Sequence, residues 1–144
     1  MVTVLWVIFM KNNELIKRAI NAMNNSYSPY SGFRVGAAIL CDNNKVYTGC
    51  NIENASYSVT NCAERTALFK AISEGETRFK KIAIVGGKNG IISDYISPCG
   101  VCRQVLAEFC DESFIIILAK SENDYKEYTL KELLPISFKN ESMV

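Results

Sequence analysis

Residues 81–119 read KIAIVGGKNGIISDYISPCGVCRQVLAEFCDESFIIILA, and their reading decides the fold. Residues 81–87 are a short apolar run closed by glycines, the pattern of a buried strand, and residues 88–98 form a loop. Residues 99–110 then place Val101, Cys102, Val105, Leu106, Phe109 and Cys110 on one helical stripe. Residues 114–119, FIIILA, are a second buried strand. Two interior strands thus enclose a helix that begins at a C-x-x-C pair.

Working outward, residues 13–23 carry Leu15, Ile16, Ala19, Ile20 and Met23 at helical spacing, with Lys17, Arg18 and Asn21 between them. Residues 24–32 are rich in turn formers and predict a loop. In residues 33–41, Phe33, Val35, Ala37, Ile39 and Cys41 alternate as a strand; residues 42–44 turn the chain, and 46–50 return as the second strand of a hairpin. A polar loop over 51–61 leads to a helix over 62–73, for which Gly75 is the terminator. Beyond 119, a weaker strand is expected over 125–130 and a short helix over 131–134, stopped by Pro135. Strands alternating with helices after an initial hairpin give an α/β fold: a three-layer α/β/α sandwich whose central mixed five-stranded sheet has helices on both faces.

Two helices therefore start at cysteine motifs, Cys62-Ala63-Glu64 and Pro98-Cys99-Gly100-Val101-Cys102. Cys102 lies one turn after Cys99 on the same face, so two helices can present three sulfurs at one point. Helix N-termini also lower thiol pKa values, which thiolate ligation requires. Three protein ligands leave the fourth position of a zinc ion to water, whereas structural zinc sites are closed by four. Glu64 is not needed as a ligand and is free to shuttle protons. Three thiolates on a divalent ion leave one net negative charge; Arg65, a turn after Cys62, is placed to offset it, with Arg103 as a second candidate. Cys41, Cys50 and Cys110 lie in strands or on an apolar stripe and read as buried thiols rather than a fourth ligand.

Composition prunes the alternatives. The chain has 144 residues, a net charge of +1, six cysteines and no histidine. One domain fits this length. Without histidine, no Ser-His or Cys-His pair and no histidine-ligated metal site can be built. Scattered positive residues offer no basic stripe for nucleic acid, so a small soluble substrate is expected, with neither nucleic acid nor membrane as a partner. Six cysteines with a C-x-x-C behind a proline point to a reducing, cytoplasmic setting.

Residues 1–10, MVTVLWVIFM, form an apolar extension ahead of the domain at 11–144. It falls short of the roughly 20 residues that span a bilayer and lacks the basic start and cleavage site of a secretion signal. Three readings stand: an extra docked strand, an exposed tail, or a start codon assigned upstream of Met10. The third is preferred, because helix-like sequence begins directly after Met10.

Four segments, two of them around the cysteine motifs, carry a family resemblance: Ser28-Pro29-Tyr30-Ser31 leading into Phe33-Arg34-Val35-Gly36-Ala37-Ala38; Gly49-Cys50-Asn51-Ile52-Glu53-Asn54-Ala55-Ser56-Tyr57; Cys62-Ala63-Glu64-Arg65-Thr66-Ala67; and Ser97-Pro98-Cys99-Gly100-Val101-Cys102-Arg103-Gln104. Over residues 15–138 the chain resembles the small homotetrameric cytidine deaminases with all-cysteine zinc ligation. The resemblance implies one zinc per subunit on Cys62, Cys99 and Cys102, with Glu64 as proton shuttle. It implies that Asn51 and Glu53 bond the ribose, that Phe33 packs on the pyrimidine, and that the Ala63 amide and the carbonyls around Ser97 and Pro98 orient the base and the departing ammonia. Phe138, with Tyr57 as a second such residue, would reach a neighbouring subunit's site in a homotetramer. Taken without the resemblance, Asn51, Glu53 and Asn54 read as a solvated turn and Phe33 as core, while a plain surface charge is the lesser alternative for Arg65. The expected reaction is hydrolysis of cytidine and 2'-deoxycytidine to the uridine nucleosides and ammonia. Rivals are a deaminase of a free base or nucleoside antibiotic, a module with purely structural zinc, and a thiol oxidoreductase using Cys99 and Cys102.

Overall fold

The computed structural model describes residues 10–144. The readings offered for the apolar start fall on residues 1–9 and lie outside the described residues. Helix α1 spans Asn12–Met23, β1 Phe33–Cys41, β2 Val46–Cys50, α2 Ala63–Ser73, β3 Phe79–Lys88, α3 Gly100–Phe109, β4 Ile115–Ser121, β5 Asp124–Thr129 and α4 Leu130–Leu133. One five-stranded sheet runs in the order β2-β1-β3-β4-β5. Among the described residues its single parallel pair, β3 with β4, is the one joined through a helix, α3; the other pairs are antiparallel.

Alternation along the strands sorts the core into two layers. Ala38 and Leu40 of β1, Ala83 and Val85 of β3, and Ile117 and Ala119 of β4 meet Leu15, Ile16, Ala19 and Met23 of α1. Their strand neighbours Ala37, Ile39, Ile82, Ile84, Ile116 and Leu118 face the other way, against Ala63, Ala67 and Leu68 of α2 and Leu106 of α3. This is the three-layer sandwich with a mixed sheet that the sequence predicts. Both metal-motif helices share one face, which is what lets their first turns meet.

Small differences from the expected elements have local causes. Strand β3 begins at Phe79 because Cys41 pairs with it across a bulge. Leu130 opens α4 instead of ending β5, because Thr129 and Glu132 form a reciprocal cap: the Glu132 amide donates to Thr129 Oγ1 at 3.2 Å and the Thr129 amide to Glu132 Oε1 at 3.0 Å. Short 3-10 turns at Tyr57–Val59 and Asn140–Met143 had no signal in the periodicity. Among the described residues, no helix is long and apolar enough to cross a membrane.

Close backbone contact fixes where α2 starts. A Cβ at Gly49 would stand 2.5 Å from the Ala67 amide nitrogen and 2.7 Å from the Ala63 carbonyl oxygen, so only glycine lets α2 lie this near β2. The obstructing atoms are helix backbone and cannot swing aside. Gly49→Ala should therefore destabilise the protein by about 1–3 kcal/mol or more in chemical denaturation, and an unchanged unfolding midpoint would show that α2 has room to retreat.

Candidate metal centre

The loop before α2 is closed by its own backbone. Ile52 and Asn61 exchange both hydrogen bonds, at 2.9 and 3.0 Å, which brings the far end of the loop back beside β2. Thr66 then ties the first turn of α2 down, its hydroxyl bonded to the carbonyls of Cys50 (3.0 Å) and Cys62 (3.2 Å) and to Asn61 Nδ2 (2.9 Å). Cys62 and Cys99 occupy the N-cap positions of α2 and α3, in extended conformation, and neither side chain caps its helix. Ser, Thr, Asp or Asn normally fills that position and bonds a free amide. Here the side chains turn towards each other.

Cys62, Cys99 and Cys102 converge, with all three sulfurs within 4.8 Å of one another. Zinc–thiolate bonds of about 2.3 Å at tetrahedral angles require sulfurs about 3.8 Å apart, and Cys62 Sγ and Cys99 Sγ are 3.8 Å apart. The donor set therefore fits one zinc ion. The Cys102 thiol hydrogen bond holds the Cys62 sulfur down at about 5 against the cost of burial, helped by Arg65 and Cys99, while the same contact pushes Cys102 up. Cys41, Cys50 and Cys110 stay outside this cluster. Burial pushes their thiols up, to about 11 for Cys41 and about 12 for Cys110.

Arg65 donates from Nη2 to Cys62 Sγ at 3.5 Å and to the Thr60 carbonyl at 3.3 Å, so its charge faces the sulfurs rather than solvent. Arg103 goes elsewhere. Its guanidinium donates to Pro98 O (2.8 Å), Ser97 Oγ (2.6 Å) and Leu133 O (2.7 Å), tying the approach to α3 to the end of α4. Of the two candidates for offsetting the sulfur charge, only Arg65 thus bonds a sulfur; the position of Arg103 on α3 turns it back over the preceding loop. Glu64 is only 4% exposed, and burial first, then the nearby Cys62, pushes its carboxyl up to about 7. Ala63, in the same first turn, is fully buried.

Of the remaining expected residues, Glu53 and Tyr57 share one cleft. Asn51 is buried, its Oδ1 accepting from the Val35 amide (2.9 Å) and Ser26 Oγ (2.5 Å), its Nδ2 donating to Phe33 O (2.7 Å). That leaves one amide hydrogen of Nδ2. Glu53 accepts from Ser31 Oγ (2.5 Å) and from the amides of Tyr30 (2.9 Å) and Ser31 (3.1 Å), bonds that hold its carboxyl below the usual range. With Tyr30, Ser31, Tyr57 and Thr60 it lines a cleft of about 340 Å³. Tyr57 stands edge-on to Tyr30, ring centroids 5.6 Å apart. Phe138 is apart from these groups; its carbonyl accepts from Gln104 Nε2 at 2.9 Å and the residue is 61% exposed. Sequence reasoning did not single out Ser31 and Tyr30 as the groups that seat Glu53, since their partner lies over twenty residues away.

Residues 10–118 match the family model for the cytidine and deoxycytidylate deaminase zinc-binding region. The cytidine deaminase of Sporosarcina psychrophila is 47% identical over 134 residues, covering 93% of this chain and 96% of that one. That of Halalkalibacterium halodurans is 48% identical over 134 residues, covering 93% and 98%. The crystal structure of cytidine deaminase from Burkholderia pseudomallei, 42% identical, matches with a TM-score of 0.83 over 90% of this chain and 100% of that one. By sequence along nearly its whole length and by fold, the chain belongs to the cytidine and deoxycytidylate deaminase family.

Proposed function

We propose that this protein hydrolyses cytidine and 2'-deoxycytidine to uridine and 2'-deoxyuridine with release of ammonia, as a zinc enzyme of pyrimidine salvage. The observation that carries the reading is three cysteine sulfurs converging beside a buried carboxylate that is not needed as their fourth partner. Residues 11–144 act as one domain, in the cytoplasm, on a small nucleoside rather than on nucleic acid.

Cys62, Cys99 and Cys102 hold one zinc per subunit, which when bound lowers the pKa of a water so that a nucleophile exists at neutral pH. Glu64 moves the protons. It accepts one from the attacking water and passes it to the ring nitrogen beside the amine-bearing carbon, then takes the second from the hydroxyl now on that carbon and passes it to the amino group, so that the carbonyl forms as the C–N bond breaks and ammonia leaves. A carboxyl with a pKa pushed up to about 7 suits both accepting and donating near neutral pH. Arg65 stabilises the sulfur charge. Phe33 stacks on the pyrimidine, the Ala63 amide and the carbonyls around Ser97 and Pro98 orient the base, and Asn51 and Glu53 bond the ribose. The carboxylate of Glu53, kept ionised by Ser31 and two amides, suits sugar hydroxyls and disfavours a phosphate in the same cleft.

The active unit is a homotetramer in which Phe138 and Tyr57 complete a neighbour's site. Both residues are mostly exposed, at 61% and 73%, as large apolar groups awaiting a cover are. Sedimentation should give four chains per particle, and Phe138→Ala should raise KM with zinc content unchanged. A fully active monomer would reject the shared site.

The central test follows the loss of ultraviolet absorbance on adding purified protein to cytidine, deoxycytidine or cytosine, with and without a chelator. Turnover of the nucleosides that stops on chelation is expected; turnover of free cytosine alone would replace the substrate class. Glu64→Gln should lower kcat by about 10²- to 10⁴-fold while zinc stays bound, and loss of zinc in that variant would make Glu64 structural. Arg65→Gln should weaken zinc retention by about 10- to 100-fold; unchanged metal affinity and rate would mean its charge is not felt by the sulfurs.

A further inference from the structure

The approach to α3 is built with little help from backbone pairing. Among the described residues, the main chain of residues 92–98 exchanges no hydrogen bond with other main chain, so side chains must hold it. Arg103 secures the near end through Ser97 and Pro98. Ile92 packs with the α1-side core and Tyr95 with the opposite core, so the loop crosses the end of the sheet between them.

Tyr95 is gripped by the β4–β5 hairpin, an element that contributes no residue to the metal cluster. Its hydroxyl donates to Asp124 Oδ1 at 2.5 Å, and the ammonium groups of Lys120 and Lys126 each stand 4.6 Å from its ring centroid. Lys126 pairs with Leu118, whose side chain lies in the core layer shared with α2 and α3, so the hairpin turns its grip towards the same face as the sulfurs. Ammonium groups over a ring are attracted by its negative face, and the hydroxyl bond adds a fixed direction. Tyr95 precedes Cys99 by four residues, a span of at most about 14 Å even when fully extended. Cys99 itself is exposed, so surrounding side chains do little to confine its sulfur.

We infer that Tyr95 is a positioning residue: with the ammonium groups of Lys120 and Lys126 over its ring and its hydroxyl anchored on Asp124, it sets the loop so that Cys99 Sγ and the Ser97 backbone stand where zinc and the base need them. This rests on the reading of Cys99 as a zinc ligand and of Ser97 as a base contact. A residue that only packed would affect folding; a positioning residue affects metal affinity and KM in protein that folds normally.

The test compares zinc-loaded wild type with Tyr95→Leu and Tyr95→Phe by competition with a chromophoric chelator, by cytidine kinetics, and by unfolding of the chelator-treated protein. Tyr95→Leu should bind zinc about tenfold more weakly and show a raised KM, with its metal-free unfolding temperature unchanged. Tyr95→Phe, which keeps a ring under both ammonium groups, should recover most of both. Should Tyr95→Leu not fold, the double substitution Lys120→Met and Lys126→Met opens the same grip from the outside and carries the same expectation. Zinc affinity and KM within about twofold of wild type in the folded variant overturn the inference. Wild type that binds zinc beside such an indifferent variant leaves the deaminase reading standing; wild type that binds no zinc removes both.

Discussion

The meeting of two helix N-termini on one face of the sheet is the constraint on which the site depends. Cys62 and Cys99 are 37 residues apart, yet their sulfurs come within 3.8 Å because each sits at the N-cap of a helix packed on the same core layer. Both helices give up the usual side-chain cap, a loss on the order of 1 kcal/mol each. A shared metal offsets that loss, since ligand binding to the folded state alone stabilises it. Local rules are broken here for the sake of the site, and Gly49 supplies the clearance that the arrangement needs.

Environment separates cysteines of identical chemistry into two kinds. Cys41 and Cys110 lie against apolar surroundings that disfavour a thiolate, so their thiols stay protonated and inert. Cys62 meets hydrogen-bond donors from Cys102, Arg65 and Cys99, and its thiolate is favoured. Glu64, adjacent in sequence, is pushed the opposite way by burial. One turn of α2 thus holds a stabilised anion and a carboxyl ready to keep its proton, a division of labour suited to acid–base chemistry beside a metal.

Polar residues around the site serve the fold and the rim together. Asn51 joins Ser26, Phe33 and Val35, while Glu53, which lines the cleft, draws in Tyr30 and Ser31, so both shape the loop before β1. Arg103 similarly binds the approach to α3 to the end of α4. Groups with all but one of their bonds already spent are held in one orientation before any ligand arrives, which lowers the cost of recognition.

By itself, the sequence determined what depends on short-range pattern. The helical stripe of α1, the alternation of β1 and the strand–helix–strand run of residues 81–119 were legible because burial follows a period of 3.6 or 2 along the chain. The metal motif was legible for the same reason, since Cys99 and Cys102 are one turn apart and Glu64 is tied to Cys62 by adjacency. Only the tertiary structure decided the strand order β2-β1-β3-β4-β5, the turning of Arg103 away from the sulfurs towards Leu133, the seating of Glu53 by Tyr30 and Ser31, and the grip of Lys120, Asp124 and Lys126 on Tyr95. Those contacts join residues twenty or more positions apart, and a side chain's partner across such a distance is set by how the layers pack, which no local period encodes.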